Sequence, residues 1–195
     1  QTVFGIGYAD DSWDSATKYL LSQGFRKDEL LLAGVSGKSE SGRVYDKFRD
    51  RLIFPIIDIR GNVIGFGGRI FEGDGPKYLN SSDTPVFKKL RNLFALNFAR
   101  QSCQDALILC EGYMDVIALH AVGVTNAVAT LGTAITSEQA RVMSRYTKKV
   151  IISSSVSKLH TYIWFAMAPD RASGIRPHMT IQRPYFSMTC SSDRR

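Results

Sequence analysis

Apolar and polar positions along this chain follow three successive patterns. Near the start, Trp13, Ala16, Thr17, Leu20 and Leu21 recur with helical spacing. Ser12 is placed to cap that helix and Gly24 to stop it. A second short helix is predicted over Lys27 to Ala33, closed by Gly34. Residues 34–43, with three glycines and three serines, read as an exposed loop. Arg51 to Ile59 is then a strand, and its Pro55 belongs at a sheet edge or a bulge. A turn at Arg60-Gly61-Asn62 leads into Val63-Ile64-Gly65-Phe66, so residues 51–66 form a hairpin. Residues 72–86 are loop, and Phe87 to Arg100 is predicted as a basic helix with Leu90, Leu93, Phe94 and Ala95 on one side.

From residue 105 strands and helices alternate. Ala106–Cys110, Asn126–Thr130 and Val150–Ile152 are short apolar runs of strand length. Tyr113–Ala121, ending before Gly123, and Ser137–Arg145, capped by Thr136 or Ser137, are helices between them. A βαβαβ order implies a parallel sheet with crossover helices. Beyond Ser153 the order fails. Ser153-Ser154-Ser155 opens a tail with three of the six prolines, whose aromatics and arginines show neither a period of 2 nor one of 3.6. The fold class is therefore α/β: a mixed α+β lobe followed by a partial parallel sheet. The expected divisions are residues 1–100, 101–152 and an atypical tail over 153–195 that is out-of-family or disordered.

With 44% hydrophobic and 22% charged residues, the 195-residue chain has an ordinary globular composition. It has no apolar run of the roughly 20 residues that a membrane helix needs and no signal peptide, so no membrane partner is expected. Cys103, Cys110 and Cys190 are odd in number and widely spaced, which excludes a disulfide framework and a Cys-x-x-Cys zinc site. They fit a reducing cytoplasm. The net charge of +7 divides into 19 basic against 16 acidic residues over 1–152 and 6 against 2 over 153–195. That balance is compatible with nucleic acid and does not demonstrate it.

Candidate chemistry gathers at Glu111. An apolar strand ends there, glycine follows, and Asp115 lies four residues on. Ligands collect at the C-terminal ends of strands in open α/β sheets, so Glu111 is a candidate site acid or a solvent-exposed loop acid. Asp115 reads equally as its helper or as a helix N-terminal acid favoured by the dipole. Lys77 offers a phosphate charge and Tyr78 a stacking face, or they are a solvated loop lysine and a core tyrosine. Arg69 follows two glycines that admit a close approach. Arg49, Arg51, Lys88, Lys89 and Arg91 extend a basic track or are solvated surface charges. His120 reads as a helix-surface or partly buried residue.

Several segments, in order, resemble the catalytic core of bacterial DnaG-type DNA primases with a Toprim domain. They are Phe4-Gly5-Ile6-Gly7-Tyr8-Ala9, Arg49-Asp50-Arg51-Leu52-Ile53-Phe54-Pro55-Ile56, Gly65-Phe66-Gly67-Gly68-Arg69, Pro76-Lys77-Tyr78-Leu79-Asn80-Ser81, Glu111-Gly112-Tyr113-Met114-Asp115-Val116 and Ala127-Val128-Ala129-Thr130-Leu131-Gly132-Thr133-Ala134. The resemblance implies primer synthesis: a DNA-directed RNA polymerase that makes short RNA primers from ribonucleoside triphosphates on single-stranded DNA. It implies Mg2+ (or Mn2+) with Glu111 as a metal ligand or acid–base group, two ions roughly 3.5–4 Å apart, Lys77 and Tyr78 facing template or nucleotide, and Arg69 in the same groove, a nucleic-acid-binding track that Arg51 and Lys88 would extend. The family's zinc-binding module and its C-terminal helicase-binding module are not in this sequence, so the chain is expected to be a central fragment.

One departure stands out. The family ends its third Toprim strand in Asp-x-Asp, and here Ser155 and Ser157 hold those positions. A neutral hydroxyl replaces a magnesium carboxylate poorly. This chain alone is therefore expected to synthesise little or no primer. A frameshift, recombination or assembly error after about residue 153 would account for the tail, and would leave an incomplete sheet with exposed strand edges; the other account is a divergent extension. The alternatives are a non-catalytic single-stranded DNA-binding module and another Toprim enzyme, a topoisomerase or nuclease.

Overall fold

The computed structural model describes residues 4–72, 75–132 and 134–153, and the backbone of 176–182 and 185–191. The chain forms two compact units, Gln1–Lys89 and Leu90–Arg195.

The first unit is built on an antiparallel sheet of order β1-β4-β5-β6. Its strands are β1 (Gly7–Ala9), β4 (Arg51–Ile57), β5 (Val63–Ile70) and β6 (Tyr78–Asn80). The 51–66 hairpin forms as its alternation predicts. β1 reaches only as far as Ile53. Pro55 therefore lies where β4 has become an edge, just before the register shift between Ile56 and Ile57. One sheet face carries wholly buried Phe54 and Ile56. On that face Phe87 fills the space above Gly65, where a Cβ would stand 3.2 Å from its ring.

Helices α1 (Ser15–Ser22) and α2 (Lys27–Leu32) follow β1, with Gly24 and Gly34 in left-handed conformations after them. Ser12 does not cap α1. The N-cap position is Asp14, and the orphan N–H groups of Ala16 and Thr17 donate to the buried carboxylate of Asp46, at 2.8 and 2.9 Å. Residues 34–43 also differ from a loop. Ser36–Lys38 (β2) pairs with Val44–Asp46 (β3), and Gly37 faces Tyr45 so closely that a Cβ would meet the ring at 2.5 Å.

The second unit contains no long helix over 87–100. Lys89–Arg91 is a single 3-10 turn at the unit boundary, and α3 covers only Leu96–Ala99. Between them, Phe94 exchanges backbone hydrogen bonds with Ala129, at 2.9 and 3.2 Å. Ala95 then turns through φ 66°. Backbone pairing outweighs helical propensity here. The alternating region folds as its pattern predicts. β7 (Leu107–Cys110) lies between β8 (Ala127–Ala129) and β9 (Lys149–Ser153), parallel to both. Helices α4 (Tyr113–Ala121) and α5 (Ser137–Ser144) are the crossovers. Leu107, Leu109, Val128, Met143, Leu96 and Ile152 share one core cluster. Thr136 caps α5, with its side chain accepting from the Gln139 N–H and the Gln139 side chain accepting from the Thr136 N–H, each at 3.1 Å.

The expectation of an exposed edge at β9 is not met. Tyr185–Ser191 (β11) pairs antiparallel with β9, and Arg176–Gln182 (β10) pairs with β11. An open strand edge is a template for further pairing. Met179 and Ile181, and then Phe186 and Met188, do alternate, a local period hidden when the tail is read as a whole. Pro177 is tolerated because β10 is outermost. Ser155, Ser157, His160, Asp170 and Asp193 lie outside the described residues.

Candidate functional site

Cross-strand register creates the first constellation. Tyr8 pairs with Leu52, Leu52 with Arg69, and Arg69 with Tyr78. Directly paired residues share a sheet face, so these four side chains form a row across all four strands. The Arg69 guanidinium carbon lies 6.0 Å from the centre of the Tyr78 ring. Its Nε is buried and makes no hydrogen bond among the described residues. A buried donor of that kind is uncommon and needs an acceptor. Tyr78 is 37% exposed and Tyr8 59%. The Tyr8 hydroxyl donates to Asp50 at 2.7 Å, and that bond raises the phenol pKa. Lys77 is exposed, while its carbonyl accepts from the Ile70 N–H at 3.1 Å.

The other basic positions separate. Arg51 is 7% exposed. Its register partner is Ile70, which places it on the face opposite Arg69 and Tyr78. Burial lowers its pKa, against the opposing charge of Asp50. Lys88 lies 3.7 Å from Asp83. Arg49 stacks on Trp13, 3.4 Å from the ring centre. Trp13 is 55% exposed rather than packed on the inner face of α1. Its membership in an apolar helical stripe concealed it as a stacking surface.

In the second unit, Cys110 pairs with Ala129 on one side and Ser153 on the other. The three parallel strands thus end level, and Glu111 emerges from the central one at their C-terminal edge. It is partly buried. Gly112 occupies the N-cap of α4, and Asp115 lies in the first helical turn. A Cβ on Gly112 would stand 3.8 Å from Asp115 Oδ2, so the Asp115 side chain folds back toward the sheet edge. Burial, and secondarily the charge of Asp115, push the Cys110 thiol up to about 12. Tyr113 is buried edge-on against Phe94, with ring centres 4.7 Å apart. His120 contacts the Ala127 carbonyl through Nε2 at 3.0 Å, tying α4 to β8. Among the described residues, no group of three His, Cys, Asp or Glu side chains could hold a metal.

The first unit thus carries Arg69 and two tyrosines in one row across an antiparallel sheet, and the second carries an acid at the C-terminal edge of a parallel sheet. Residues 1–100 match the family model "DNA primase catalytic core, N-terminal domain", and residues 108–154 match "Toprim-like". The DNA primase of Clostridium acetobutylicum is 49% identical over 151 residues, covering 77% of this chain and 25% of the relative. That of Deinococcus radiodurans is 45% identical over 153 residues, covering 77% and 27%. Among solved structures, a DNA primase domain from Pseudomonas aeruginosa superposes with a TM-score of 0.77 at 42% identity, covering 84% of this chain and 52% of that one. A DnaG primase catalytic domain bound to ssDNA gives 0.74 at 40%, covering 84% and 54%. The chain belongs to the DnaG-type DNA primase family. It spans about a quarter of the length of the curated relatives it matches.

Proposed function

We propose that this chain is the central piece of a bacterial or phage DNA primase that makes short RNA primers on single-stranded DNA. The observation that carries the proposal is the Arg69–Tyr78 pair, a buried donor without an acceptor among the described residues beside a half-exposed ring. With Lys77 exposed next to Tyr78, it offers phosphate-complementary charge and a stacking face on one strand edge. Its ligands are the template strand, the RNA primer and ribonucleoside triphosphates. Lys88 adds charge to the same lobe. Residues 1–100 are the N-terminal lobe of the core and 101–152 a part of its Toprim sheet. The relative solved with ssDNA supports a DNA template as partner. A replicative helicase would engage a module outside this chain, and the setting is the bacterial cytoplasm. No described helix is long and apolar enough to cross a membrane.

In nucleotidyl transfer a 3′ oxygen attacks the α-phosphorus, a P–O bond forms and pyrophosphate leaves. Mg2+ or Mn2+ in the whole enzyme would stabilise the charge on both oxygens. Glu111 is the proposed ligand or acid–base group, and Asp115 the acid that shapes its surroundings. Magnesium takes an octahedral shell of carboxylates, water and phosphate oxygens. Two carboxylates at this edge, without a third His, Cys, Asp or Glu grouped with them among the described residues, do not fit a two-ion site. With serine at 155 and 157, the chain by itself is expected to bind DNA and synthesise little or no primer.

The test pairs binding with synthesis. The chain should bind fluorescent oligo-dT, and Lys77→Ala should weaken binding by up to about tenfold through loss of one phosphate charge and its released counterion. Glu111→Gln should bind as the parent chain does. Template-dependent dinucleotide formation by the purified chain with magnesium would overturn the inactivity. In the full-length protein Glu111→Gln should abolish primer synthesis. Synthesis that persisted would favour a non-catalytic DNA-binding role for this region.

A further inference from the structure

The run Arg49-Asp50-Arg51 has the look of one basic track, yet each residue is engaged differently. Arg49 lies over Trp13. Asp50 turns the chain through a left-handed φ of 49° and accepts from Tyr8. Arg51 is buried, and its side chain lies on the sheet face opposite Arg69 and Tyr78.

From β4 the Arg51 stem passes over Gly68 of β5. An added Cβ at Gly68 would stand 3.0 Å from Arg51 Cδ and 2.8 Å from the Phe48 ring. The glycine therefore leaves the space that both side chains occupy. At the far end Arg51 Nη1 donates to the Pro76 carbonyl at 3.0 Å. The next carbonyl, that of Lys77, accepts from the Ile70 N–H at 3.1 Å. The peptides on both sides of the Lys77 Cα are thus held, while the Lys77 side chain is exposed.

We propose that Arg51 is a positioning residue. It anchors the Pro76 carbonyl from beneath the sheet, so that Lys77 and Tyr78 are presented to single-stranded DNA at a fixed spacing, and it does not touch the DNA itself. This rests on the DNA-binding role proposed above. A guanidinium suits the task because its stem can pack against apolar neighbours while its forked head reaches a carbonyl.

The test is a double-mutant cycle on the full chain, read by oligo-dT binding and by amide hydrogen exchange of the free protein. Arg51→Gln should weaken binding about tenfold, the size expected of one hydrogen bond from a charged donor. It should speed exchange of the Ile70 N–H, which donates to the Lys77 carbonyl, by a similar factor. In the Lys77→Ala/Tyr78→Ala background the same change should alter binding by less than about twofold, because residues acting as a unit are not additive. Additive losses, or exchange at Ile70 that does not move, overturn the proposal. If Arg51→Gln does not fold, Arg51→Lys is read by the same two criteria. A Lys77→Ala/Tyr78→Ala chain that binds as well as the parent would sink the DNA-binding role and this inference together. An intact loss in that chain, with unmoved exchange in Arg51→Gln, would sink the role of Arg51 alone.

Discussion

The two units place their functional candidates by different means. In the first, Leu52, Arg69 and Tyr78 meet because three successive strands pair in an antiparallel register. A shift of one residue would turn Arg69 to the other face. In the second, Glu111 stands where it does because Cys110 is level with Ala129 and Ser153, partners distant in the chain. Antiparallel pairing of consecutive strands therefore sets the Leu52–Arg69–Tyr78 part of the row, while parallel crossover pairing sets the acid edge. The first should tolerate damage elsewhere in the chain. The second should depend on every strand of its sheet.

The largest expected effects come from the two cores. Phe54→Ala and Leu109→Ala each remove a side chain exposed by no more than 1%, and each should cost about 3–4 kcal/mol in denaturant unfolding. If the contrast holds, Leu109→Ala abolishes amide protection across β7, β8 and β9 together and leaves β4 and β5 protected. Protection lost equally in both sheets would break the comparison. Asp46→Asn comes next. It leaves the N–H groups of Ala16 and Thr17 and the Thr17 hydroxyl facing a neutral amide in place of a buried carboxylate. A loss of about 2–3 kcal/mol is expected, and one below about 0.5 kcal/mol would show that α1 needs no long-range cap. Thr136→Ala removes a cap that lies next to its own helix and should cost about 1 kcal/mol.

The smallest effect is a pH dependence at the β4–β5 turn. Asp58 accepts from the N–H groups of Asn62 and Arg60, and from the Asn62 side chain, which together lower its pKa below 3.8. A depressed carboxylate contributes stability that is present above its unfolded pKa and is lost as pH falls through the lower folded value. The Asn62 amide shift should thus titrate with a midpoint below 3.8. A midpoint at or above that value would remove the carboxylate from the turn.

Legibility followed the same division. The parallel region was readable almost residue by residue, because buried runs such as Leu107–Cys110 and amphipathic helices such as Ser137–Ser144 carry strong periods. The strands Ser36–Lys38 and Val44–Asp46 were not readable, since three residues are too few to show alternation and glycine and serine look like loop. The helix expected over 87–100 failed because Phe94 pairs with a strand that follows it by thirty-five residues. At the candidate sites, Arg69, Lys77, Tyr78 and Glu111 could be picked out by residue type and motif. The exposure of Trp13 and the burial of Arg51 could not, because both turn on which neighbours cover a side chain.

The sequence by itself determined the family, the order of elements in the parallel region and the residue types available for phosphate, base and metal. It could do so because motifs and periods are local properties of the chain. Tertiary structure alone decided that Arg51 runs beneath the sheet to Pro76, that Asp46 caps a helix some thirty residues before it, and that Arg69 holds a buried donor beside Tyr78. Each of these depends on register and burial, which arise only when distant segments compete for the same space.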